Sequence, residues 1–269
     1  MRGKLTEMLA RTPAAIAIAA LALLLAAAPS AAPVLRLPDP LPSRTIDLPI
    51  LMYHRVGAIP AGIPAVTRTL TVTPGDFASQ MEWLKSHGYH AVSQLQVYGA
   101  LEEGRPLPAK SVMITFDDGY RDVLWHAAPV LHRLHMPATE YVITGRVSNG
   151  DPSFLTWPQL VRLEKLGVTI GSHTVTHQDL ALMPPSQALA ELRDSRRTLE
   201  QHLGHPVQWF AYPFGAENPA VVALAERVGY VLAVTTQGGT TQSADAPLLL
   251  HREEVTDTTG PGGLAGLVG

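Results

Sequence analysis

Residues Val112, Met113, Ile114, Thr115 and Phe116 form an apolar, β-branched run that breaks without transition into Asp117, Asp118, Gly119 and Tyr120. Such a run forms a buried strand, and two carboxylates at the end of a buried strand need partners. Neighbouring residues leaving a strand point in different directions, so one aspartate is able to bind a cation while the other handles a proton. An Asp-Gly turn closing an ordinary strand is the plain alternative, and only the rest of the chain decides between the two.

With 269 residues and 46% hydrophobic content, the chain is long enough for one large α/β domain or two small ones. A net charge of -3 and the lack of a basic run after the first dozen residues argue against nucleic acid as a partner. Arg2, Lys4 and Arg11 precede an apolar run from Pro13 to Ala28 and then the small residues Ala28, Pro29, Ser30, Ala31 and Ala32. That order predicts a secretory signal over residues 1–32, cut between Ala28 and Ala32, and a secreted or periplasmic protein. Left uncut, the segment would be the chain's attachment to a membrane. There is no cysteine, so neither disulfides nor a lipid-bearing cysteine enter the argument. Residues 33–45 are proline-rich and aperiodic and are expected to be a linker, leaving 46–269 as the domain.

Within that domain, strand patterns over 48–53, 89–92, 112–117, 138–143, 168–172, 208–211, 230–235 and 247–250 alternate with helical ones. Thr73 with Pro74, Ser93, the Thr156–Gln159 capping box and Asn218 with Pro219 mark helix starts, and Gly88, Gly167, Gly204 and Gly229 mark stops. Pro129 is expected to kink the helix after the aspartates. The glycine-rich tail after Thr256 is expected to contribute little. The alternation implies a parallel sheet, and about seven strands in one domain fit a distorted (β/α) barrel, with an open doubly wound sheet as the alternative. No glycine-rich nucleotide or phosphate loop follows any strand. His54, Asp117, Asp118, His173, the turn Tyr212-Pro213-Phe214-Gly215 and His251 all fall at or just past the end of a predicted strand. In a parallel barrel those ends share the face where active sites are built, and this favours the barrel.

His173 and His177 stand four residues apart, a spacing that brings both rings to one side of a helical turn. With one carboxylate of the aspartate pair they make a two-His, one-Asp set suited to Zn2+ or a similar divalent ion with open coordination positions. Three motifs, Thr115-Phe116-Asp117-Asp118-Gly119-Tyr120, Ser172-His173-Thr174-Val175-Thr176-His177 and Phe210-Ala211-Tyr212-Pro213-Phe214-Gly215, resemble those of the polysaccharide deacetylases of carbohydrate esterase family 4, the NodB-homology fold. The likeness runs from Leu48 to about Val255. It implies Asp117 as general base and Asp118, His173 and His177 as ligands of one divalent metal, Zn2+ first, with Co2+ or Ni2+ as alternatives. The opening Leu51-Met52-Tyr53-His54-Arg55-Val56 is similar to the permuted poly-N-acetylglucosamine deacetylase branch.

Two positions depart from the family pattern. Where many members carry an arginine before the proline of the third motif, this chain has Ala211-Tyr212, and Arg252 is the candidate to supply that charge. Glu140 stands where an aromatic or apolar residue is usual, with an expected effect on strand packing or the cleft.

Hydrolysing an N-acetyl amide also requires a donor for the oxyanion, assigned to the Tyr212–Gly215 turn through a backbone N–H near Phe214. It further requires a general acid for the leaving amine. His54 and His251 both qualify, and the resemblance to the permuted branch favours His54. The expected function is a secreted hydrolase, acting as a monomer, that removes N-acetyl groups from an acetylated polysaccharide such as poly-N-acetylglucosamine, peptidoglycan or chitin. The alternatives are an O-deacetylase of xylan-like polymers, a sugar-binding module on the same fold, and a glycoside hydrolase pairing Asp117 with a distant carboxylate. Substrate choice is expected to lie in loops 57–69 and 144–153.

Overall fold

The computed structural model describes residues 44–269, so the expected signal and almost all of the expected linker lie outside the described residues. Seven parallel strands carry the fold: β1 (Ile50–Tyr53), β2 (Ser111–Asp118), β3 (Ala138–Val142), β4 (Val168–Ser172), β5 (Trp209–Ala211), β6 (Leu232–Val234) and β7 (Glu253–Glu254). They lie in the order β6-β5-β4-β3-β2-β1-β7, and a short strand, His90–Ala91, pairs with the first two residues of β2. β2 is the apolar run, and all eight of its residues are buried. A parallel strand covered on both faces has to read as a continuous apolar run. On one face, Ile114, Phe116, Val142 and Ile170 pack against residues of the surrounding helices such as Phe77, Met81, Leu131 and Leu160. On the other face, Ile50, Met113, Tyr141, Ala211 and Val234 fill the inside of the curl.

The connecting helices are α1 (Pro74–Ser86), α2 (Gln94–Glu103), α3 (Ala128–Leu134), α4 (Trp157–Lys165), α5 (Pro185–Leu203) and α6 (Pro219–Val228). Their starts follow the cap chemistry, with the Thr73 hydroxyl accepting from the Asp76 amide and capping boxes at Ser93 and Thr156. Helical backbone runs without a break from 122 to 134, with Pro129 just after a π-helical turn. Pro129 lies in the first turn of α3, and the π-helical turn covers Val123–Ala127.

The sheet curls until one segment serves both of its edges. Leu250 bridges Val234 of β6 and accepts from the Thr235 amide at 2.9 Å, and three residues later β7 pairs with Leu51 and Met52 of β1. The architecture is therefore the distorted α/β barrel of about seven strands. The expected strand over 247–250 is in fact a single bridge at Leu250, with the ladder displaced to Glu253–Glu254, two charged residues that carry no apolar signal. Thr45–Asp47 and Thr241–Ser243 form an antiparallel ribbon that no hydrophobic run announces. The tail is not idle: turns over Pro261–Leu264 and Ala265–Val268 bury Leu264 and Val268 in the main core, and Gln80 of α1 donates to the Thr259 carbonyl. Two apolar side chains four residues apart suffice for this, and the glycines around them hide it. No helix among the described residues is long and apolar enough to cross a membrane.

Candidate active site

Because the strands run parallel, their C-terminal ends open on one face, and a cavity of about 460 Å3 lies there. His54 after β1, Asp117 and Asp118 at the end of β2, His173 and His177 after β4, and Phe214 after β5 all line it, together with Met52, Val66, Leu70, Thr236 and Glu254. A larger cavity of about 650 Å3 lies at the opposite end of β2, beside Ser111, and contains none of these groups.

Asp118, His173 and His177 converge. The two Nε2 atoms are 3.1 Å apart, and Asp118 Oδ1 is 3.7 Å from the first and 3.5 Å from the second. A tetrahedral ion with bonds of ~2.0–2.1 Å has ligand–ligand edges of roughly 3.3–3.4 Å, so the three atoms already occupy the corners of such a site. His173 Nδ1 is 2.8 Å from the Ala211 carbonyl, which only accepts, so Nδ1 carries the proton and Nε2 turns a lone pair inward. Burial pushes His173 down to about 3 and lowers His177 as well, keeping both rings neutral, as ligation requires. Burial and the adjacent Asp117 charge push Asp118 up to about 7, a cost that a cation at this point offsets.

The two histidines do not share a helical turn. They are brought together by a bend in which Thr174 has φ 67° and His177 φ 59°. The Thr174 hydroxyl accepts from the His177 amide at 2.9 Å. The Glu191 carboxylate of α5 accepts from the Val175 and Thr176 amides at 2.8 and 2.9 Å and from the Thr176 hydroxyl at 2.8 Å. Six non-glycine residues have positive φ among those described, and four of them, Asp118, Thr174, His177 and Phe214, belong to this site. Left-handed backbone costs such residues about 1–3 kcal/mol each, and it persists where surrounding structure holds a functional geometry.

Asp117 lines the same cavity and is held in a buried ion pair. Arg252, donated by the seam segment, reaches both of its oxygens at 2.7 Å and also donates to the Thr235 carbonyl at 2.8 Å. Burial alone would raise the Asp117 pKa, but the guanidinium, with the neighbouring imidazoles, holds it well below the ordinary carboxylate range. The charge that meets Asp117 thus comes from Arg252, while the position before Pro213 is Tyr212. His54 stands at the same cavity with its Nδ1 buried and unpartnered. Burial lowers its pKa, against an upward pull from Asp117.

The remaining candidates separate. Of the turn Tyr212–Gly215, only Phe214 lines the cavity. It is exposed, with φ 60° and its ring edge-on to His177 at 4.6 Å. The Tyr212 ring points into the opposite core layer beside Phe210, and Pro213 is buried. Gly215 has φ 65°, and a side chain there would meet the Thr236 amide nitrogen at 2.6 Å. His251 does not line the cavity, and its backbone is tied on both sides to the Gln242 amide group. Sequence reasoning missed Glu191, since a glutamate on an amphipathic helix carries no signal of the loop it caps. It also missed Glu254, which the displaced β7 ladder places at the mouth.

Residues 104–233 match the family described as polysaccharide deacetylase. The chain is 32% identical over 209 residues, 78% of its length and 71% of the relative's, to YxkH of Bacillus subtilis (strain 168), named as a polysaccharide deacetylase. It is 27% identical over 176 residues to the poly-β-1,6-N-acetyl-D-glucosamine N-deacetylase of Staphylococcus aureus (strain MRSA252), covering 60% of each chain. Among solved structures it is similar to the Streptococcus pyogenes deacetylase PplD in complex with acetate, with a TM-score of 0.78 and 32% identity over 84% of this chain and 100% of that one.

Proposed function

The chain belongs to the polysaccharide deacetylase family, and from that premise we propose that it removes N-acetyl groups from an N-acetylated polysaccharide, with poly-β-1,6-N-acetylglucosamine ahead of peptidoglycan and chitin. Asp118, His173 and His177 hold one divalent metal in this reading, Zn2+ first. Bound there, the ion supplies a more acidic water and a polarised amide carbonyl. Asp117 takes the proton of the attacking water. Its pair with Arg252 keeps it ionised, and it is not one of the three converging ligand groups, so it is free to accept a proton. The turn bearing Phe214 offers backbone dipole to the oxygen that becomes negative. His54, which lines the same cavity, gives a proton to the departing amine. The observation that carries the reading is the juxtaposition of an Arg-paired carboxylate and a separate Asp-His-His cluster in one cavity. The N-terminal order of basic, apolar and small residues supports an exported protein that meets its polymer outside the cytoplasm.

The test is acetate release from poly-β-1,6-N-acetylglucosamine, peptidoglycan, chitin and acetylated xylan, with and without a chelator, in the wild type, Asp117→Asn and His54→Ala. Both variants are expected to keep the metal and to lose ~10²- to ~10⁴-fold in turnover, the usual range for a proton-transfer group. His54→Ala is expected also to lose the alkaline limb of kcat/KM. Acetate released from xylan alone, or release indifferent to chelation, would overturn the proposal.

A further inference from the structure

Among the described residues, Glu140 is the buried carboxyl that this chemistry leaves unused. It stands on β3 between Phe116 of β2 and Ile170 of β4, and so faces the apolar layer between sheet and helices. It is fully buried, and its Oε2 has no partner. An acid in such a place is costly unless it completes a bond that nothing else can make. Glu140 Oε1 accepts from the Gly119 amide at 2.8 Å.

Gly119 belongs to the turn that carries Asp118 out of β2. Asp118 has φ 79° and Gly119 φ 84°, two consecutive residues in the left-handed region, of which the first is no glycine. The turn is held at three further points. The Ile143 amide donates to the Asp118 carbonyl at a long 3.4 Å, and the Leu155 amide to the Gly119 carbonyl at 2.9 Å. The turn also lies so close on β3 that a side chain at Gly119 would meet Val142 Cγ1 at 3.3 Å. The chain has left the sheet at Gly119, and the side chain of Glu140 takes that amide. Burial raises the Glu140 pKa well above the ordinary carboxyl range, so its charged form is disfavoured beside the aspartates.

We propose that Glu140 is a positioning residue of the metal site: its carboxyl oxygen fixes the Gly119 amide, and with it the left-handed backbone that turns the Asp118 carboxylate toward His173 and His177. This rests on the reading of Asp118 as a metal ligand, and the test separates the two. Zn2+ is titrated into chelator-stripped protein against a chromophoric competitor for the wild type, Glu140→Gln, Glu140→Leu, Glu140→Met and Asp118→Ala, with hydrogen exchange at the Gly119 amide followed in parallel. Glutamine keeps a neutral acceptor, whereas leucine and methionine fill the space without one. The apolar variants are expected to bind Zn2+ about 10- to 100-fold more weakly, the usual cost of losing a partner that orients a ligand, and to lose protection at Gly119, while glutamine stays within about threefold of the wild type. Wild-type affinity in either apolar variant, or an equal loss in glutamine, overturns the inference. Wild-type affinity in Asp118→Ala overturns the metal reading beneath it. Should leucine fail to fold, methionine and the Gly119 exchange rate in the glutamine variant carry the decision.

Discussion

Asp117 and Arg252 show how one pair of side chains divides labour between stability and proton transfer. Both are buried and joined by two bonds of 2.7 Å. The Asp117 pKa is lower in the folded chain than in the unfolded one. The pair therefore stabilises the fold above the unfolded value of ~3.9, and the contribution fades as pH falls below it. Arg252→Leu leaves burial as the main influence on Asp117, and burial raises its pKa. The acid limb of kcat/KM is expected to move up by at least about one pH unit, with a loss of stability of ~3–5 kcal/mol, the usual cost of breaking one side of a buried pair. A pH-rate profile and a urea titration read both, and an unmoved limb would show that Arg252 does not govern the base. At this scale the sequence was most legible, because Asp117, Asp118, His173 and His177 sit in compact motifs at strand ends. Arg252 was legible as a charge in want of a place, but its 135-residue separation from Asp117 lies beyond any periodicity.

At the scale of elements, strand ends were predictable and the loops that leave them were not. The His173–His177 spacing suggested a helical turn, yet the backbone there bends through two left-handed residues and owes its shape to Glu191 on α5. Capping of this kind is chosen by tertiary contact, so local pattern cannot reveal it. Glu191→Ala removes three bonds to the loop while leaving the core faces of α5 and β4 intact. The variant is expected to keep its melting behaviour within about 0.5 kcal/mol, as surface changes do, and to bind Zn2+ ~10- to ~100-fold more weakly. Metal titration beside thermal unfolding decides it, and unchanged affinity would mean that the loop holds itself. The same blindness to tertiary context explains why a strand is expected at 247–250 and found at 253–254: Leu248, Leu249 and Leu250 look like a strand, while the paired residues are two glutamates.

At the scale of the whole molecule, residues near the end of the described chain brace α1. Leu264 is fully buried in the main core, beside residues more than 150 positions earlier, and Gln80 of α1 bonds to the carbonyl of Thr259. Leu264→Ala is expected to cost about 2–5 kcal/mol, as large-to-small changes in packed cores do, and to lower the denaturation midpoint without altering the slope. A shift of less than about 0.5 kcal/mol, the scale of a surface substitution, would return the tail to the marginal role its glycines suggest. The seam closed by residues 250–254 has a consequence in time. Asp117 is synthesised 135 residues before the guanidinium that compensates it, and among the described residues Arg252 is the basic side chain bonded to it. A nascent chain that has produced β2 through β6 has nearly the whole sheet and yet has an uncompensated carboxylate at its centre, which resists burial until protonated or paired. The last strand then closes the curl and ionises the base in one event. Loop closure over so long a stretch is slow, so the appearance of catalytic competence should lag behind the appearance of secondary structure during refolding, and the lag should shorten as the pH is lowered toward the point where Asp117 goes in neutral.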